Sequence, residues 1–132
     1  MARKKQDDQL TPLELEIMKV LWHEQEASVA RVVERLGAER GLAYNTVQTM
    51  LTVLHRKGKV EREIKDRAYV YRPAITYEEA ASQAVSNFLG RMFAGRPEDL
   101  VMTMVKMKKL TREKLAELNK LVDSMDREGG DE

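Results

Sequence analysis

Between residues 10 and 73 the apolar side chains fall at helical spacing three times in succession, and directly after Gly58 the pattern changes to two short β-type runs. Thr11 can cap the first segment, Pro12 suits its first helical position, and Glu14 completes a capping box. Leu13, Ile17, Val20 and Leu21 then recur at helical spacing, with Leu10 and Trp22 at the two ends. Ser28 is the next N-cap, Val29, Val32, Val33 and Leu36 form the second apolar stripe, and Gly37 is expected to end that helix. After the connector 38–42, a third helix is predicted over 43–57, with Val47, Met50, Leu51 and Leu54 inward and Gly58 as its stop. Residues 60–64 and 68–72 read as the strands of a hairpin around Lys65-Asp66-Arg67; Asp66 tolerates the turn geometry and Pro73 closes the hairpin. Three helices followed by a hairpin is the order of a winged helix-turn-helix unit, here residues 10–74.

From Thr76 onward the pattern is helical again, with helices predicted over 77–93, 97–107 and 111–126 and a break at Gly95-Arg96-Pro97. Phe88, Leu89, Met92 and Phe93 form a stripe on the first of these helices, and Leu115, Leu118, Leu121, Val122 and Met125 form one on the last. Short amphipathic helices with no long core of their own predict a helical dimerisation region over 75–127; the alternative is that they pack on the N-terminal unit. Its candidate interface is those two stripes, Phe93 aside, together with Leu100 and Met104. Residues 1–9 are expected to be a flexible basic arm, and 128–132 a disordered tail. The fold class is therefore mostly α, a winged helix-turn-helix followed by a helical dimerisation region.

Composition supports oligomerisation. Only 5% of the 132 residues are aromatic, and a small domain with few large rings gains little burial energy alone. The absence of cysteine excludes disulfides, thiolate metal sites and a cysteine nucleophile, and is compatible with a reducing cytosol. No apolar stretch follows the basic residues near Met1, and none reaches the roughly eighteen residues of a membrane span. A cytoplasmic protein without membrane insertion is expected. Net charge is only +1, but it is unevenly spread. Residues 44–72 hold seven cations (Arg56, Lys57, Lys59, Arg62, Lys65, Arg67, Arg72) against Glu61, Glu63 and Asp66, whereas residues 74–132 are net acidic. That asymmetry suits a polyanion-binding half, although ordinary solvated faces would give it too.

The third helix carries the chemistry. With its apolar residues inward, Asn45, Gln48, Thr49, Thr52 and Arg56 form one outward face. It is built from amides and hydroxyls rather than the Glu and Lys of a merely solvated helix. Asn and Gln can bridge the two polar atoms of an adenine edge in the major groove, and Thr can meet bases or the thymine methyl. Arg56 can reach a phosphate or a guanine. At the hairpin, Lys65 and Arg67 can follow a phosphate backbone or enter the minor groove, and Lys4 and Lys5 of the basic arm can reach DNA in the same way.

Other chemistries fit less well. Thioether sulfur suits Cu(I), but Met102 and Met104 lie about 200° apart on a helix and cannot share a ligand face; with Met107 they read as adaptable filler. His23 and His55 are isolated and lack a third ligand, so no metal or other cofactor is expected. No glycine-rich phosphate loop, His-Glu-x-x-His or Ser-His-Asp set occurs, so the chain does not read as an enzyme. A winged helix can also serve as a protein-interaction module without specific DNA binding. That alternative calls for an apolar patch on the exposed face of the third helix, where the polar stripe stands instead.

Several segments resemble the penicillinase repressor (BlaI/MecI type) family: Leu10-Thr-Pro-Leu-Glu-Leu-Glu-Ile-Met-Lys-Val-Leu-Trp22, Tyr44-Asn-Thr-Val-Gln-Thr-Met-Leu51, Lys57-Gly58 and Arg67-Ala-Tyr-Val-Tyr-Arg-Pro73. The resemblance is looser beyond residue 73, where helix lengths and the Leu100-Val-Met-Thr-Met-Val105 run still fit. It implies a homodimeric transcriptional repressor on a dyad-symmetric DNA operator, in some members a regulator of antibiotic resistance. It also implies that Tyr44, Thr46, Thr49 and their outward neighbours lie on the recognition helix. In that family a membrane-bound sensor protease triggers cleavage between an Asn and a Phe in the C-terminal region, which would make such a protease a partner. Alignment puts that bond at Thr103-Met104, so the cleavage residues are not kept; Asn87-Phe88 occurs earlier, in the preceding helix. Leu42-Ala43 replaces the usual Trp-Ser before the recognition helix, Asp66 replaces a wing-turn Gly, and the cysteines of a copper-responsive branch are missing.

Overall fold

The computed structural model describes residues 9–129, with the side chains of 38 and 39 left aside; the basic arm with Lys4 and Lys5 lies outside the described residues, as do 130–132. Helix α1 (Pro12–Glu24) opens as its sequence dictates. The Thr11 hydroxyl accepts from the Glu14 amide at 3.1 Å, and the Glu14 carboxylate accepts from the Thr11 amide at 2.9 Å. Two residues, Ala27–Ser28, then form strand β1, too short to leave a periodic signal. Helix α2 (Val29–Arg40) starts on the Ser28 hydroxyl, which accepts from the Arg31 amide. It does not stop at Gly37 as expected. It runs one turn further, to Gly41, whose φ of +63° makes the left-handed cap and whose amide donates to Gly37 O at 2.8 Å. Both glycines could terminate a helix; Gly37 stays inside this one, where an added Cβ would come within 3.4 Å of Val33 Cγ1.

Helix α3 (Tyr44–Arg56) follows a short connector, completing the helix-turn-helix. Strands β2 (Val60–Lys65) and β3 (Ala68–Pro73) form the hairpin, in register Lys65↔Ala68, Ile64↔Tyr69, Arg62↔Tyr71 and Val60↔Pro73. Asp66 and Arg67 alone make the turn, with φ of +51° and +68°, the two positive values a type I′ turn requires. Lys65 thus belongs to its strand and pairs with Ala68. β1 adds to the other side of β3, through Ala27↔Tyr71 and Ser28↔Val70, giving the antiparallel order β1-β3-β2. This is a winged helix.

Its core joins Ile17, Met18, Val20 and Leu21 of α1 to Val29, Val32 and Leu36 of α2, Val47, Leu51 and Leu54 of α3, and Val60 and Tyr71 of the sheet. Two polar contacts fix the frame. Lys57, just past α3, donates to both Glu14 carboxylate oxygens at 3.0 and 3.1 Å and to Gln9 O at 3.3 Å. The Trp22 indole donates to Ile75 O at 2.9 Å and packs edge-on against Tyr77 at 5.5 Å.

Helix α4 (Tyr77–Met92) spans the division between two compact units, which falls between residues 84 and 85, and Trp22 holds Ile75 and Tyr77 to the first unit. The second unit holds the end of α4, α5 (Pro97–Lys106) and α6 (Arg112–Gly129). α6 continues through residues 128 and 129, which were expected in the tail. None of these three helices has a buried residue. Among the described residues no helix is long and apolar enough to cross a membrane.

The Glu14 carboxylate is 4% exposed, so removing it strands the Lys57 ammonium in a largely desolvated place. Glu14→Ala is expected to cost roughly 3 kcal/mol in a urea unfolding titration. A loss below about 1 kcal/mol would class the pair with solvent-screened surface pairs.

Candidate nucleic-acid interface

α3 buries Val47, Leu51 and Leu54 completely, and that commits its other side to solvent. Tyr44, Asn45, Thr46, Gln48, Thr49, Thr52 and Arg56 are all exposed. Every recognition-helix candidate is thus exposed; Asn45, Gln48, Thr49, Thr52 and Arg56 share one face, and Tyr44 and Thr46 flank it at the head of the helix. The Thr52 hydroxyl donates to Gln48 O at 3.0 Å, which ties it to the turn before it. Ala43 stands at the N-cap position and supplies no side-chain hydrogen bond, as its methyl dictates. Thr46 and Val47 amides donate back to Ala43 O, leaving the amides at the head of α3 without a side-chain acceptor. Among the described residues Arg56 forms no ion pair.

The wing has two unlike faces. On the inner face Tyr71 is buried at the base, Arg62 lies over the Tyr69 ring at 4.2 Å, and Ile64 and Tyr69 emerge exposed toward the tip. The outer face is a ladder of charges. Lys65 Nζ donates to Glu26 at 3.1 Å and lies 3.5 Å from Glu63, while Arg72 pairs with Glu63 at 3.0 Å and Glu61 at 3.5 Å. These contacts move the ionisations in the expected sense. The hydrogen bond from Arg72, then the charge of Lys65, holds the Glu63 carboxyl below its ordinary range. The hydrogen bond to Glu26 holds the Lys65 ammonium above its own. Arg67 stands at the turn, exposed and without an ion pair among the described residues.

The two wing cations named from sequence thus occupy different situations: among the described residues Arg67 has no ion-pair partner, and Lys65 is engaged. Sequence reasoning missed Glu26, which lies far from Lys65 along the chain. The alternation Glu61, Glu63, Lys65 was a readable sign that one wing face is charged throughout.

In the second unit Phe88, Met92, Leu118, Leu121, Val122 and Met125 are 40–65% exposed, and Leu89, Leu100, Met104 and Leu115 are half-buried. Thr103 and Met104 lie inside α5, where the Thr103 hydroxyl donates to Asp99 O at 2.9 Å. Asn87 and Phe88 lie inside α4.

Comparison with known proteins gives this surface a setting. The family model described as penicillinase repressor matches residues 10–124. The penicillinase repressor of Bacillus licheniformis is 28% identical over 115 residues, which cover 87% of this chain and 90% of that protein. The transcriptional regulator BlaI of Mycobacterium tuberculosis is 42% identical over 71 residues, 53% of this chain and 51% of that one. Among solved structures, the DNA-binding domain of the repressor BlaI matches at a TM-score of 0.50 with 32% identity, over 54% of this chain and 87% of that domain.

Because Glu63 is held low, its pairs stabilise the hairpin above the ordinary glutamate range and are lost as pH falls through the lowered value. A carboxyl-carbon NMR titration should place Glu63 below a free glutamate and move it upward in Arg72→Ala. An ordinary value in the unaltered protein would contradict the ladder.

Proposed function

The chain belongs to the penicillinase repressor family, and we propose that it represses transcription as a homodimer bound to a dyad-symmetric DNA operator. The observation that carries this reading is the amide-and-hydroxyl surface of α3, exposed from Tyr44 to Arg56 on a helix whose opposite side is locked into the core. Gln48, Asn45 and Thr49 read base edges in the major groove, where a side-chain amide matches the paired donor and acceptor of adenine. Thr52 presents its methyl for a thymine methyl. Tyr44 and Thr46, at the head of α3 beside amides that lack a side-chain cap, meet the phosphate backbone; Arg56 and the wing-turn Arg67 fix the register from either side. None of these roles calls for a cofactor, and repression is steric, by occupation of promoter DNA.

The second unit supports the dimer. Its helices carry Phe88, Met92, Leu118, Leu121, Val122 and Met125 exposed and bury nothing. So much uncovered apolar surface on a small helical unit is what a second copy covers. Leu89, Leu100, Met104 and Leu115, half-buried on the same helices, are assigned to the same interface. Two recognition helices then enter successive major grooves about 34 Å apart on an inverted repeat.

Gln48→Ala is expected to cost about 1–3 kcal/mol of operator affinity and to relax specificity at one base position, read from binding to a panel of single-base operator variants. An equal loss across the whole panel would remove Gln48 from base reading. Leu118→Asp places a lone charge in the dimer seam and should yield a monomer with weak operator binding; sedimentation of an intact dimer would exclude Leu118 from the seam.

A further inference from the structure

Two cations flank the wing turn, Lys65 and Arg67, and among the described residues only Arg67 of the two lacks a carboxylate partner. Lys65 donates to both Glu26 oxygens, at 3.1 and 3.3 Å, and also lies 3.5 Å from Glu63. Glu26 immediately precedes β1, whose residues Ala27 and Ser28 pair with Tyr71 and Val70. Lys65, on β2, therefore reaches across β3 to a carboxylate beside β1, on the far edge of the sheet. Around it that face holds Glu26, Glu61 and Glu63 against Lys65 and Arg72, three carboxylates to two cations.

We infer that Glu26 is a positioning residue that keeps Lys65 on the outer face of the wing and so leaves Arg67, of the two cations flanking the turn, to meet phosphate. The inference rests on the DNA-binding reading above. Exposed ion pairs are individually weak, and Lys65 and Glu26 are each nearly half exposed, so the pair itself can break. What blocks the exchange is the surroundings. A phosphate taking Lys65 from Glu26 would leave Glu26 without its counter-charge beside Glu63, which keeps only Arg72, and like charges at that range repel. Arg67, at the turn and outside the ladder, meets no such obstacle. Glu26 thereby sets how many cations the protein brings to DNA, and with them the salt dependence of binding.

The test is a set of anisotropy titrations of Glu26→Gln, Lys65→Ala, Arg67→Ala and the double variant Glu26→Gln/Lys65→Ala. Each is run on a duplex carrying the upstream DNA and on a scrambled duplex, across salt concentrations from about 50 to 200 mM. Arg67→Ala should make the salt slope shallower by about one contact per protomer, and Lys65→Ala alone should leave it unchanged. Glu26→Gln should steepen the slope by about one contact per protomer and tighten binding several-fold, and the double variant should return to the parent slope. A shallower slope in Lys65→Ala would mean that Lys65 already meets phosphate and would overturn the inference. No change in Glu26→Gln would overturn it too, as would a steepening that persists without Lys65, since that reports only the removal of a negative charge. These slopes are read on either duplex. Failure of the parent protein to prefer the upstream DNA would count against the repressor reading and leave the Glu26 result standing.

Discussion

Glu14 accepts hydrogen bonds from two different parts of the chain. One comes from the Thr11 amide and closes the first turn of α1; the other comes from Lys57, one residue beyond the end of α3. A buried ion pair adds little net stability over a well-packed apolar pair, yet it tolerates few geometries, because either charge left alone is costly. The consequence here is orientation. With its C-terminal end tied to the head of α1 and Val47, Leu51 and Leu54 set in the shared core, α3 has one rotation about its own axis. That rotation turns Asn45, Gln48, Thr49 and Thr52 outward together. A base-reading surface depends on this kind of rigid support, since side chains that read base edges must be placed to within a fraction of an ångström.

The wing applies the same economy to charge. Its inner face continues the core through Tyr71, and its outer face is neutralised from within by the Glu26-Lys65-Glu63-Arg72-Glu61 ladder. The local excess of positive charge counted along residues 44–72 is therefore much reduced on the folded wing. Among the described residues, the cations left without a carboxylate partner on this surface are Arg56 at the end of α3, Arg67 at the turn and Arg62, which lies over the Tyr69 ring. Net charge along a segment is a poor guide to the field a partner meets; pairing across strands decides it.

Most of the winged unit was legible in the sequence because its signals are local. The capping box at Thr11 and Glu14, the cap at Ser28, the apolar stripes and the breaks at Gly58 and Pro73 each involve neighbours, and each appears where expected, except that on α1 Met18 rather than Leu13 joins the core. What escaped depends on distance or on choice between equals. β1 exists only because β3 offers it an edge, and two residues carry no period. Gly37 and Gly41 are chemically the same stop, and tertiary packing around Val33 decided between them. The hold of Glu26 on Lys65 and of Trp22 on Ile75 joins residues far apart in the chain, and no spacing announces either. The recognition face was legible for a different reason: a helix with one apolar side leaves its other side to be read directly from residue types.

The central claim is that the open face of α3 selects a DNA sequence. The measurement that bears on it most directly is fluorescence anisotropy of the protein titrated onto its own upstream DNA and onto a scrambled duplex, at about 150 mM salt, with the stoichiometry read from the same titration. The account predicts two chains per site and a preference for the upstream duplex of at least ~10³. Equal, weak binding to both duplexes, followed by a genome-wide selection that recovers no common site, would contradict it.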